Sequence, residues 1–203
     1  MTKRILHRCN SIGSIENALK KYDGVEVDVR RLGAKLVLAH DENDAESGPY
    51  LTAVLRYIAA EHPGKTLALN VKEHGLANLL AENLSYVSGV DYFVFDVPGV
   101  ELPRYHGLGI RVFARMSYCE HQRPEASGGV VVDPFREGDQ KLGMMNLGIM
   151  QGVLPAVYTH LPVAMISNGC HGRTDEPNHL IGVDYLIGKE FELTDAYTQG
   201  EGQ

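Results

Sequence analysis

Three short pairs within the first forty-one residues carry the side chains that could do chemistry: His7-Arg8, Glu26-x-Asp28 and His40-Asp41. Each lies at or near the end of a β-like run, respectively Arg4–His7, Val25–Val29 and Lys35–Ala39. Side chains alternate along a strand, so Glu26 and Asp28 are expected on one face and Val25, Val27 and Val29 on the other. Two carboxylates crowded on one face repel each other unless a cation or protons intervene. Histidines exchange protons near neutral pH, and an arginine beside one of them grips an oxyanion. These are the parts for metal-assisted acid–base chemistry on a phosphate. The competing reading of the carboxylates is a structural pair satisfied by Arg30, Arg31 or backbone donors.

The ordered set resembles the glycerophosphodiester phosphodiesterase family, within the wider group of phospholipase-C-like phosphodiesterases. The separations, nineteen residues from His7 to Glu26 and twelve from Asp28 to His40, are similar to those of the family. Glu16-Asn17, opening the first predicted helix, also looks like the family's segment between the first two motifs. The close likeness covers roughly the first 75 residues; beyond that it is one of strand order.

The resemblance implies a divalent cation, Mg²⁺ or Ca²⁺, held by Glu26 and Asp28 and completed by water and substrate phosphate; hard cations prefer such oxygen donors. It implies His7 and His40 as the acid–base pair, with Arg8 and Lys72 on the phosphate oxygens; Asp41 is read as orienting His40 or a backbone turn, not as acting directly. The third strand reads Leu69-Asn70-Val71-Lys72-Glu73. The family carries an acid two residues before that lysine, so Asn70 is a departure: it brings an amide oxygen to the metal where the family brings a carboxylate. A second departure is length. Only Glu42–Gly48 separates His40-Asp41 from the next helix, where many family members carry an inserted subdomain. The site is therefore expected to be open, without an assumed preference for glycerol.

Positioning these residues needs a scaffold, and the chain supplies eight strand-like runs. They are Arg4–His7, Gly24–Val29, Thr66–Val71, Tyr92–Val97, Arg111–Met116, Gly129–Asp133, Pro162–Ile166 and Val183–Ile187, with Lys35–Ala39 set aside. Near-continuous apolar runs fit parallel strands buried on both faces. Between them fall helical stripes. Ser14 is read as the cap of a helix burying Ile15, Ala18, Leu19 and Tyr22. Pro49 suits the first turn of a helix burying Leu51, Val54, Leu55 and Ile58. A third stripe is Leu76, Leu79, Leu80, Leu84 and Val87, and a fourth spans about 141–160. The alternation predicts one domain over residues 1–203, a compact TIM-type (β/α)8 barrel. It is expected to be partly degenerate, because the twelve residues Ser117–Gly128 leave little room for a helix.

In such barrels chemistry sits at the C-terminal ends of the strands. His7, Asp28, Lys72, Asp96, Asp133 and Asn168 all fall there. Asp96, Arg115, Asp133, Phe135 and the loop 168–173 are candidates to contact the leaving group, each equally readable as structural.

The composition narrows the partners. A net charge of −7 argues against broad nucleic-acid binding, while a bound cation would still allow an anionic substrate. No apolar stretch approaches the length of a membrane span. Three cysteines at irregular spacing match no disulfide or zinc framework, and the expectation is a reduced, cytoplasmic protein. Cys9 reads as a small semi-buried thiol. The expected partner is a small-molecule phosphodiester, with the oligomeric state left open. Two other functions are carried: a metal-dependent sugar-phosphate isomerase or lyase on the same barrel, and a barrel that binds a ligand without catalysis.

Overall fold

The computed structural model describes residues 2–116, 127–132, 161–166 and 184–189. The predicted helix over 141–160, Asp133, Phe135 and the loop 168–173 lie outside the described residues, as do Cys119 and Cys170. The chain runs β1 (Lys3–Leu6), α1 (Ile12–Leu19), β2 (Gly24–Leu32), β3 (Lys35–Leu38), α2 (Leu51–Glu61), β4 (Thr66–Val71), α3 (Ala77–Ser85), β5 (Asp91–Phe95), α4 (Leu102–Gly107), β6 (Phe113–Met116), β7 (Gly129–Val132), β8 (Val163–Ile166) and β9 (Tyr185–Gly188). All the strands but β3 lie in the order β5-β4-β2-β1-β9-β8-β7-β6, each parallel to its neighbours. A parallel bridge between Val94 and Val112 brings the two ends of this order together. The result is a nearly closed TIM-type (β/α)8 barrel, as expected.

Strand alternation builds two apolar layers. Outward residues such as Val25, Val27, Val29, Leu67, Leu69 and Val94 pack with Ile15, Leu19, Leu55 and Leu80 of the helices. Inward residues Ile5, Ala68, Phe93, Phe95, Phe113 and Ile187 fill the barrel. Both faces of a strand are thus withdrawn from water, which is why the runs read as continuously apolar.

The helices follow their stripes with small shifts. The cap of α1 is Ser11, not Ser14. The Ser11 hydroxyl accepts the Ser14 N–H at 3.2 Å, and the Ser14 hydroxyl accepts the Ser11 N–H at 3.1 Å. This reciprocal arrangement satisfies two otherwise orphaned donors, so the helix starts one turn earlier. Pro49 falls before α2, which begins at Leu51 with Tyr50 at its cap and no side-chain capping bond. Leu51, Val54, Leu55 and Ile58 are fully buried. Each such burial contributes about 1.5–3 kcal/mol, more than the roughly 1 kcal/mol a capping side chain supplies. Helix α4 was not predicted. It has six residues, with Pro103 in its first turn and only Leu102 and Tyr105 buried, too short a stripe to show a period.

Strand β3 stands outside the barrel order and pairs antiparallel with the last four residues of β2. The two-residue turn between them starts at Gly33, whose φ of +60° suits a residue without a Cβ. This hairpin brings the chain back so that the Ala39 N–H donates to the Asp28 carbonyl at 3.0 Å. It thereby sets His40 beside the end of the barrel portion of β2.

The N-terminal ends of the strands form a polar base. The Lys3 ammonium meets Asp91 at 2.8 Å and the Thr66 hydroxyl at 3.0 Å, and that hydroxyl donates to Asp91 at 2.7 Å. Arg111 bonds Asp91 at 3.1 Å and the Tyr185 hydroxyl at 3.0 Å. Gly24 sits on the same face of β2 as Glu26, opposite Thr66. A Cβ there would come within 2.2 Å of the Thr66 carbonyl oxygen, so the strands can approach this closely only with glycine.

Candidate active site

The C-terminal end of the barrel gathers most of the residues singled out from the sequence. Glu26 and Asp28 lie on one face of β2, alternating with the three valines, and both are fully buried. The N–H of Arg8 donates to Glu26 Oε2 at 2.7 Å, and His7 Nε2 lies 3.6 Å from the same oxygen. Arg8 reaches this geometry with φ of +60°, a left-handed conformation uncommon for a residue with a Cβ. Its side chain is exposed at the mouth.

Strand β4 adds the next two groups. Asn70 is in register with Asp28 on the neighbouring strand and is nearly fully buried. Its amide favours the charged form of Glu26. Lys72 Nζ stands 3.0 Å from Asp28 Oδ1, close enough for an ion pair but not aligned as a hydrogen bond. The lysine expected on a substrate phosphate therefore rests on a carboxylate expected on the metal.

Glu26 is held well above the usual carboxylate range. Burial is the largest cause and the charge of Asp28 adds to it; the Arg8 N–H, the Lys72 charge and the Asn70 amide oppose them. A carboxyl so placed calls for a proton or a cation.

His40 is more open than His7. Its Nδ1 lies 2.9 Å from Asp41 Oδ1. A carboxylate only accepts, so Nδ1 carries the proton of that bond and Nε2 is the basic nitrogen of the neutral ring. The His40 carbonyl accepts from Arg30 Nε at 3.1 Å, and Arg30 Nη1 lies 3.4 Å from Glu73. Arg30 thus ties the His40 segment to the residue that follows Lys72.

Asn10 was not singled out from the sequence. Its Nδ2 donates to Asp28 Oδ2 at 2.6 Å and its Oδ1 accepts the Asp28 N–H at 2.8 Å. The signal available was its place, three residues beyond His7 in the loop that leaves β1. Nothing in the residue type marked it out, since asparagine is common in such loops. Cys9 beside it is fully buried, and its thiol is pushed up to about 12 by burial and by Glu26. A thiol held protonated in this way is no nucleophile.

Farther round the mouth, Arg115 Nη2 meets Asp96 Oδ1 at 2.6 Å. Asp96 follows β5 with φ of +64°.

The oxygen atoms around Glu26 fit a hard divalent cation. Glu26 Oε1 and Asn70 Oδ1 are buried without a hydrogen-bond donor, and Asp28 Oδ1 has only the off-axis lysine. Oxygen donors of this kind suit Mg²⁺ or Ca²⁺. Among the described residues no cluster of three or more histidine, cysteine or acidic side chains is placed to hold a metal, so the protein's share would be two carboxylates and an amide.

The class the fold defines is the parallel (β/α)8 barrel, here with a buried carboxylate pair toward the C-terminal ends of its strands. No protein-family model matches the chain, and no curated protein matches its sequence. Solved structures do match in fold. A glycerophosphodiester phosphodiesterase from Agrobacterium tumefaciens superposes with a TM-score of 0.61 at 17% identity, over 97% of this chain and 100% of that one. A tryptophan synthase alpha chain from Legionella pneumophila superposes at 0.61 and 12% identity, over 97% and 84%. A calcium-dependent phosphoinositol-specific phospholipase C from a Pseudomonas species gives 0.60 and 9%, over 92% and 88%. Phosphodiesterases thus share this barrel with an enzyme of another reaction class, and the fold alone does not choose between them.

Proposed function

We propose that the chain is a metal-dependent phosphodiesterase acting on a small-molecule diester such as a glycerophosphodiester. The observation that carries this reading is the set of buried oxygens on neighbouring strands, Glu26, Asp28 and Asn70, lying beside His7 and Lys72 at the end of the barrel where chemistry occurs. The order of the His7-Arg8, Glu26-x-Asp28 and His40-Asp41 pairs adds to it, as do the phosphodiesterases among the structural neighbours.

Glu26, Asp28 and Asn70 would hold Mg²⁺ or Ca²⁺. When bound, that ion supplies positive charge to the phosphoryl oxygens. The rest falls to the chain's own residues. Lys72 swings from Asp28 to a phosphate oxygen once Asp28 is engaged, and Arg8 at the rim grips a second. A hydroxyl, from water or from the substrate itself, attacks phosphorus. One imidazole of His7 and His40 takes its proton as the new P–O bond forms. The other gives a proton to the leaving alkoxide as the old P–O bond breaks. Asp41 keeps the His40 ring turned with Nε2 outward. Water gives a phosphate monoester; a neighbouring substrate hydroxyl gives a cyclic phosphate first. Among the described residues no helix is long and apolar enough to cross a membrane.

Hydrolysis of bis(p-nitrophenyl) phosphate with and without chelator tests the reading. Turnover should vanish in chelator, return with Mg²⁺ or Ca²⁺, and be absent from the Glu26→Gln, Asp28→Asn double variant at unchanged fold. Undiminished turnover in chelator would remove the metal. No turnover with either ion would remove the phosphodiesterase.

A further inference from the structure

Arg30 follows Glu26 and Asp28 on the same face of β2, yet it lies past the stretch of that strand built into the barrel. The ladder between β2 and β4 ends at Val29 and Val71, closed by the Lys72 N–H, which donates to the Val29 carbonyl at 3.1 Å. From Val29 onward β2 pairs with β3, and Arg30 stands opposite Val37. Nothing in that pairing calls for a guanidinium.

The bonds of Arg30 run sideways instead, to neighbours in two different parts of the site. Its Nε donates to the His40 carbonyl at 3.1 Å, and its Nη1 lies 3.4 Å from Glu73 Oε1. The same carboxylate oxygen takes the Arg31 N–H at 3.4 Å, so the Glu73 side chain carries on where backbone pairing with β4 stops. Both partners are largely withdrawn from solvent, with 19% of the Arg30 side chain and 25% of the Glu73 side chain exposed. A partly buried pair is screened less than one in open water, and a planar guanidinium serves two acceptors from different edges at once.

The segment that Arg30 reaches has little else to fix it. His40 comes after the end of β3 at Leu38, and the bond just before it joins the Ala39 N–H to the Asp28 carbonyl. Past His40 the next backbone bonds are local, from Asp44 back to Asp41 and from Ala45 back to Glu42. Local bonds shape a turn without fixing where it sits on the barrel. Arg30 supplies an attachment on the histidine's own carbonyl. Glu73, one peptide bond from Lys72, ties that attachment to the end of β4.

Resting on the phosphodiesterase reading, we propose that Arg30, held by Glu73, is a positioning residue for His40. The guanidinium fixes the backbone of the acid–base residue against the strand end that carries Lys72. Proton transfer and the grip on phosphate are thereby kept at one spacing. Arg30 touches no reacting atom, and its charge is answered by Glu73, which leaves the phosphate to Arg8 and Lys72. A shift of roughly 1 Å in a catalytic group costs about 10²-fold in rate, so a brace of this kind acts on turnover and not on substrate binding.

Arg30→Met tests this, since methionine keeps an unbranched stem and removes the donors. By NMR relaxation the His40 and Asp41 amides should be rigid in wild type, with order parameters of about 0.85, and should fall toward about 0.6 in the variant. With glycerophosphoethanolamine, whose alkoxide must leave with a proton, Arg30→Met should lower kcat by about 10- to 100-fold at unchanged KM. In a His40→Ala background the same substitution should cost no further rate, because residues that act through one another do not add. Glu73→Gln keeps an acceptor oxygen and should move each readout the same way by less; it carries the test if Arg30→Met does not fold. Either variant, folded and with these amides as rigid as in wild type, would overturn the brace. A rate loss of equal size with and without His40 would overturn the positioning role and leave Arg30 a prop of the fold. If wild type hydrolyses no diester, the phosphodiesterase reading fails, and the order parameters alone then decide: Arg30 stands as the anchor of His40 if they fall and is lost from that role if they do not.

Discussion

Asn10 and Asp28 face each other through a closed pair of hydrogen bonds, the amide giving one at 2.6 Å to the carboxylate and taking one at 2.8 Å from the Asp28 N–H. One side chain thereby satisfies both a buried charge and a strand-end backbone donor. Asn10→Ala should destabilise the fold by about 2–3 kcal/mol, the range for losing hydrogen bonds to a charged, buried group. Urea unfolding measures it. A midpoint equal to wild type would mean that water replaces the amide at no cost.

Asn70 occupies a position where a third carboxylate would sit beside two others. Asn70→Asp keeps the shape and adds a charge next to Asp28 and Glu26. In chelator the variant should melt below wild type, because a third buried carboxylate has no cation to balance it. With millimolar Mg²⁺ or Ca²⁺ the gap should close or reverse, and calorimetric titration should show metal affinity raised by about tenfold. Equal affinities in two equally folded proteins would exclude Asn70 from the metal shell.

The two histidines are expected to carry separate protons. His7→Ala and His40→Ala should each lower kcat/KM by about 10²–10⁴, and the wild-type pH–rate profile should be a bell. Each single variant should lose one limb of it. A His40→Ala enzyme that keeps both limbs would leave Asp41 and His40 with a structural duty only.

How much of this was legible in the sequence varies along the chain. Strand β2 announced itself because inward Glu26 and Asp28 alternate with outward Val25, Val27 and Val29, while β1 and β4 showed as short runs leading into His7 and Lys72. The Asp28–Lys72 contact could not be read, since it depends on the register of β2 against β4. Nor could the Asn10 bond, which joins a loop to a strand. Asp96 was noticed as a polar residue at a strand end, but its left-handed backbone appears only in the structure. The polar base was hidden for a similar reason: Lys3, Thr66, Asp91, Arg111 and Tyr185 are scattered over most of the chain and meet only when the barrel closes.

Asp91 in that base offers a test of acid stability. Burial alone would raise its carboxyl, but hydrogen bonds from Lys3 and Thr66 and the charges of Lys3 and Arg111 hold it below the usual range. A depressed carboxyl contributes stability above its unfolded pKa, about 3.9, and that contribution is lost as pH falls through the lower folded value. Asp91→Asn should therefore be less stable than wild type at pH 7. The difference should shrink steadily below about pH 4. Parallel acid-unfolding curves at constant separation would remove Asp91 from the linkage.

The pairing of β1 with β9 joins Lys3 to Tyr185, 182 residues later in the chain. On the ribosome, at about 5–20 residues per second, the first strand waits roughly 10–40 s for that partner. Through that interval one edge of β1 stays open, a row of unmet backbone groups able to pair with any passing strand. The barrel's first strand is thus the last to be finished. A chain stopped at Asp184 should therefore scatter light under conditions where the full chain stays clear.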